Sequence, residues 1–205
     1  MFRLTPVVRA ILLANVVLFL SQWFVGEQRL APLELWPLST DSYYPSLFRP
    51  WQLLSYGFVH FEFWHLFFNM VGLVAFGPAV ERLLGGRRFQ LFYIVCVIGA
   101  ALAQLAVTAL FTRVTAPTVG ASGGVFGILL AFAMAWPHQR VILLVFPVPM
   151  PAWFLISFYA IAELYQGVVG RNEGVAHFAH LGGMAAGYLL LTFWRHRPGR
   201  AGPVS

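Results

Sequence analysis

Lysine is missing from this 205-residue chain, cysteine and aspartate occur once each, and charged side chains make up only 10%. Each scarcity excludes something. A lone cysteine, Cys96, permits neither an intrachain disulfide nor a cysteine-rich metal cluster. It lies inside an apolar run and reads as a buried, inert thiol. Soluble domains carry roughly a quarter charged residues, so the low charge argues against one. The net charge of +6 does not point to nucleic acid, because no basic run lies along a polar helix face. The arginines fall mainly beside apolar blocks. No internal repeat or low-complexity segment is visible.

What is present in excess is hydrophobic residues, 60% of the chain. They are arranged in long blocks, the mark of an all-α polytopic membrane protein. Six spans are predicted, near Val7–Val25, Phe63–Leu84, Phe89–Phe111, Ser122–Trp136, Pro151–Gly167 and Ala176–Trp194. They form one transmembrane domain over residues 1–197, followed by a disordered tail at 198–205. Arg3 and Arg9 precede the first block, but no A-x-A site follows it, so a retained helix is predicted rather than a cleaved signal. With the N-terminus in the cytoplasm, Arg3, Arg9, Arg82, Arg87, Arg88, Arg140, Arg195, Arg197 and Arg200 lie inside. Arg29, Arg49, Arg113 and Arg171 lie outside. This satisfies the positive-inside rule and places both termini in the cytoplasm.

The first outer loop, about Gly26 to Glu62, carries Trp36, Tyr43, Tyr44, Phe48 and Trp51. Such aromatics suit the bilayer interface, and short interfacial helices are expected there. The fourth span is unusually short. Pro137 ends it near Trp136, and Thr115–Ser122 reads as loop. A helix of that length covers about 22 Å, against a hydrocarbon core of about 30 Å. Its start therefore lies below the outer surface. The loop before it must dip inward, which non-helical backbone tolerates only inside protein or beside a wet cavity.

Three polar motifs fall at the outer ends of spans two, four and six. They are His60-Phe-Glu-Phe-Trp-His65-Leu-Phe-Phe-Asn69, Gly120-Ala-Ser-Gly-Gly-Val-Phe-Gly127 and Ala179-His-Leu-Gly-Gly-Met-Ala-Ala-Gly187. These spans run in one direction, so Ser122, His180, His65 and Asn69 can meet at similar depth. A serine hydroxyl needs a base within hydrogen-bond reach to act as a nucleophile. Donors such as Asn69, His65 and the Ser122 backbone N–H can hold an oxyanion. Gly123 and Gly127 on span four, with Gly183 and Gly187 on span six, form small-xxx-small stripes that let helices approach closely.

Together the G-A-S-G, A-H-x-x-G-x-x-x-G and H-x-x-x-x-H-x-x-x-N segments resemble the rhomboid family of intramembrane serine proteases. The resemblance runs from the first span to the sixth. It implies a six-helix rhomboid-like bundle that needs no cofactor. Its catalytic dyad would be Ser122 and His180, with His65 and Asn69 stabilising the oxyanion and no carboxylate as third member. It also implies supporting roles: Phe126 stacked on the imidazole, His60 stabilising the pocket, and Gly120, Gly123, Gly183 and Gly187 allowing close approach. The implied substrates are single-pass or polytopic transmembrane proteins, cleaved near the periplasmic face of a bacterial inner membrane, with lipid as the other partner. Glu163, the sole acid in a span core, reads as a snorkelling or hydrogen-bonded structural residue. His177 reads as an accessory polar residue. The family often has Trp-Arg before span two, where this chain has Trp51-Gln52; Arg49 is the nearest substitute.

Three rival readings were weighed. A zinc site on His60, His65, His177 and His180 is disfavoured, because His60 and His65 diverge on a helix and no H-E-x-x-H motif exists. A non-catalytic relative that escorts membrane clients would usually lack the serine or the histidine. A small transporter would be expected to show an inverted repeat.

Overall fold

The computed structural model describes residues 3–38, 47–111, 116–142, 147–169 and 175–196. Tyr43, Tyr44, Asp41, Arg113, Thr115, Arg171, Arg197, Arg200 and the 198–205 tail lie outside them. The described chain is mostly helical. The main helices are α1 (Pro6–Val25), α3 (Phe63–Leu84), α4 (Gly86–Phe111), α5 (Ser122–Ala135), α6 (Ala152–Val169) and α7 (Val175–Arg195). α2 is a single turn, Gln52–Ser55, and 3-10 turns cover Glu27–Leu33 and Tyr56–Phe58. Strands β1 (Arg140–Val141) and β2 (Met150–Pro151) form a small antiparallel hairpin.

Local chemistry sets the boundaries. Pro6 opens α1, where a missing N–H costs nothing. Gly26 and Gly85, at φ +82° and +77°, terminate α1 and α3. Gly85 is the whole connection between α3 and α4, which makes them an antiparallel pair. α5 stops before Pro137, its last amide reaching Phe132. α6 begins one residue later than expected because Pro151 pairs with Arg140 in the hairpin.

Among the described residues, α3, α4 and α6 are long and apolar enough to cross a bilayer; α1 and α5 contribute shorter apolar stretches. The outside of the bundle is apolar as well: Phe24 is 90% exposed, Leu110 73% and Val168 70%. A surface of that kind belongs in lipid, and the protein is an integral membrane protein.

Helix α4 is the spine. Phe89, Phe92, Tyr93, Cys96, Val97 and Ala100 are buried along it, with α7 and α5 packed against it. Small residues make this possible. A methyl group added at Gly99 would meet Ala186, one at Gly182 would meet Ala103, and one at Gly127 would meet the Cys96 sulfur. Gly187 also faces Cys96, at 3.1 Å, and Phe92. The α7 glycine stripe thus divides between two neighbours: Gly183 serves α5 and Gly187 serves α4.

One end of the bundle gathers the arginines. Glu81 of α3 caps the start of α1, accepting from the Thr5 hydroxyl at 2.5 Å and the Val7 and Val8 amides at 3.1 and 2.8 Å. Arg88 lies 5.9 Å over the Trp194 ring, which brings the start of α4 to the end of α7. The opposite end is covered by the segment between α1 and α3. Gln52 fastens it: buried completely, it accepts from the Trp36 and Arg49 amides and donates to the Pro32 and Leu47 carbonyls, at 3.1–3.3 Å. Gln52 thus has its own bonding role at the position where the resemblance leads one to expect arginine. The Arg49 guanidinium donates to the neighbouring Phe48 carbonyl.

Candidate active site

The loop leading to Ser122 is held from three directions. Thr118 pairs with Leu35 through two backbone hydrogen bonds of 2.9 and 3.0 Å. The Gly120 N–H donates to the Tyr56 carbonyl at 3.0 Å. The Ala121 N–H donates to His60 Nε2 at 3.3 Å. His60 is fully buried, and burial, aided by the neighbouring His65, pushes its imidazole down to about 3. It therefore stays neutral and keeps the lone pair that accepts from Ala121. Gly120 is required twice over. Its φ is +121°, and a β-carbon there would come within 2.6 Å of the His65 ring.

Ser122 begins α5 immediately after this tethered loop. Its Oγ lies 2.8 Å from Nε2 of His180 on α7. The two helices come together where a β-carbon on Gly183 would strike the Gly123 carbonyl. Phe126 lies parallel to the imidazole, with centroids 4.4 Å apart and planes 8° apart, and Tyr159 of α6 meets its edge at 5.8 Å. The His180 ring is therefore fixed on one face by an aromatic plane and at Nε2 by the serine. His65 stands over Gly120 with its ring edge-on to His60 at 4.9 Å. The Asn69 amide, largely buried, donates to the His65 carbonyl at 2.9 Å.

Glu163 is placed differently from a structural bystander. Its Oε2 lies 2.5 Å from Nδ1 of His177 and 3.0 Å from Nδ1 of His180. The second contact is short but misaligned, so the solvent-shielded His180 Nδ1 has no formed hydrogen bond. The three donor atoms lie within 4.8 Å of one another. Two ligands on one tetrahedral zinc stand about 3.3 Å apart, so the closer His177 contact is that of a hydrogen-bonded pair. A signal for this grouping existed in the sequence. His177 and His180 share a helical face, and one intramembrane acid lies on the preceding helix.

The model of the Rhomboid domain matches residues 48–197. This chain belongs to the rhomboid family. Rhomboid protein 1, mitochondrial, of Saccharomyces cerevisiae is 37% identical over 139 residues, 67% of this chain and 40% of that protein. YdcA of Bacillus subtilis is 30% identical over 200 residues, covering 92% of this rhomboid and 88% of its own length. Rhomboid protease GlpG of Klebsiella pneumoniae is 24% identical over 190 residues, 90% of this chain and 62% of that protein. The chain thus spans well under half of the yeast relative and most of the Bacillus one.

Proposed function

We propose that this rhomboid is an intramembrane serine endopeptidase that cleaves transmembrane helices through Ser122 and His180. The observation that carries this reading is the 2.8 Å approach of Oγ to Nε2 between two separate helices. In the proposed arrangement six helices cross a bacterial inner membrane as one domain, with the arginine-rich end and both termini in the cytoplasm. The paired serine and histidine then face the periplasmic side. Helix α5, at 14 residues, spans about 21 Å. Its start sits beneath the lipid surface, where water is needed for hydrolysis.

A substrate helix would unwind locally, because helical carbonyls are hidden in hydrogen bonds; small or helix-breaking residues lower that cost. His180 takes the Ser122 proton as Oγ bonds to the peptide carbonyl carbon. The oxyanion receives hydrogen bonds from the Ser122 backbone amide, His65 and Asn69, the Asn69 amide turning from its resting acceptor. His180 returns the proton to the leaving nitrogen as the C–N bond breaks. Water then gives a proton to the same imidazole as it bonds to the acyl carbon, and His180 returns that proton to Oγ as the acyl C–O bond to Ser122 breaks. No cofactor enters the scheme.

The test uses purified full-length protein. A fluorophosphonate probe should label the wild type, and a model transmembrane substrate should be cut. Ser122→Ala and His180→Ala should each lose both signals. Cleavage that persists in Ser122→Ala would refute the assignment.

A further inference from the structure

The family resemblance implies a two-residue catalytic pair and assigns no task to the acid on α6. Yet a carboxylate in a membrane span is costly unless paired. Glu163 is only 12% exposed in its side chain, and its two close partners are both imidazole Nδ1 atoms. An ionised carboxylate only accepts, and its two oxygens offer about four lone-pair sites. One bond to His177 leaves room for a second. Meanwhile His180 Nδ1 is closed off from solvent, lacks a formed bond, and has the Glu163 oxygen at 3.0 Å. Nε2 of the same ring already faces the serine hydroxyl. To accept a proton there, Nε2 must carry the lone pair, so the ring hydrogen must sit on Nδ1. That hydrogen needs an acceptor.

We propose that Glu163 is a positioning residue for His180: its carboxylate, anchored by His177, receives the Nδ1–H, fixes the reactive tautomer and steadies the imidazolium formed when Ser122 gives up its proton. The carboxylate stays ionised throughout, and the only proton that moves is the one passing between Oγ and Nε2. A small turn of the ring aligns Nδ1 with Oε2, as apo catalytic contacts often tighten once substrate binds. Phe126 stacks on one face of the ring throughout. His177 acts as a brace that keeps the acid from swinging toward lipid.

This inference rests on the protease reading, and the experiment separates the two. Glu163→Gln and Glu163→Ala are compared with wild type in detergent. The endpoint of fluorophosphonate labelling counts folded sites, while the labelling rate and kcat per labelled site report activation of the serine. Glu163→Gln should lose about tenfold, and Glu163→Ala on the order of 100-fold, in both rates, with KM and the endpoint unchanged. In histidine-labelled wild-type protein, 15N NMR should show His180, assigned by comparison with His180→Ala, as the Nδ1–H tautomer. A purely structural tie between α6 and α7 would instead lower the endpoint and leave turnover per labelled site intact. That outcome, or a wild-type His180 carrying its hydrogen on Nε2, overturns the proposal while Ser122 remains assigned. A wild type that neither labels nor cleaves overturns the protease reading itself.

Discussion

Ser122 and His180 face each other, but they are held by different kinds of force. The serine loop is tied by directional hydrogen bonds, exchanged with Leu35 and donated to Tyr56 and His60. The histidine rides on α7, which one side presses against α4 and α5 through glycines and the other side leaves to α6. In their most apolar stretches α3 and α4 are 44% and 39% buried, against 17% for α6. The position of Ser122 is therefore written in backbone geometry. The position of His180 depends on how closely two helices can approach, beside an acid on a sparsely packed neighbour.

The comparison can be broken most sharply at the helix contact. Gly183→Ala puts a methyl group on the Gly123 carbonyl, where only backbone movement can relieve it. Overpacking of this kind costs about 1–3 kcal/mol. The melting temperature in detergent should fall by several degrees, and fluorophosphonate labelling should drop sharply, because the strain falls beside both reacting groups. A normal melting point with full labelling would show that the approach has slack.

The hydrogen-bonded side should yield in a different way. Gln52→Ala takes the partner from two part-buried amides and from the Leu47 carbonyl, and leaves the Pro32 carbonyl with Trp51 alone, a loss of about 2 kcal/mol. Protease sensitivity in the segment between α1 and α3 should rise before the helical bundle melts. His60 offers a gentler probe. The unfolded imidazole takes up a proton near its ordinary 6.5, whereas the folded one resists until about 3. Stability present above pH 6.5 is therefore lost progressively as pH falls toward 3. His60→Gln, which retains an acceptor for Ala121, should flatten that part of the pH–melting curve. The smallest effect is expected on α6: Val168→Ala, at a position 70% exposed, should leave melting and labelling unchanged.

Much of this was legible in the chain itself. The apolar blocks matched the helix limits to within a few residues, because proline and glycine mark most ends. Pro137 exposed the shortness of α5, and the three polar motifs picked out the residues that converge. The rotational setting of the helices was not legible. Segments apolar all round carry no amphipathic stripe to say which side meets which neighbour. For that reason the glycine stripe of α7 did not reveal that it divides between α5 and α4, and Glu163 read as a snorkelling or hydrogen-bonded structural acid without naming the two imidazoles it lies against. Gln52 was hidden for another reason: its four partners are backbone groups, which leave no trace in side-chain identity.

The pairing of Leu35 with Thr118 carries a practical consequence. The recognisable domain begins at residue 48, so one tether of the loop before Ser122 is supplied by chain upstream of it. A fragment trimmed to the matched region would keep Ser122 and His180 and lose the template on which the serine loop is laid.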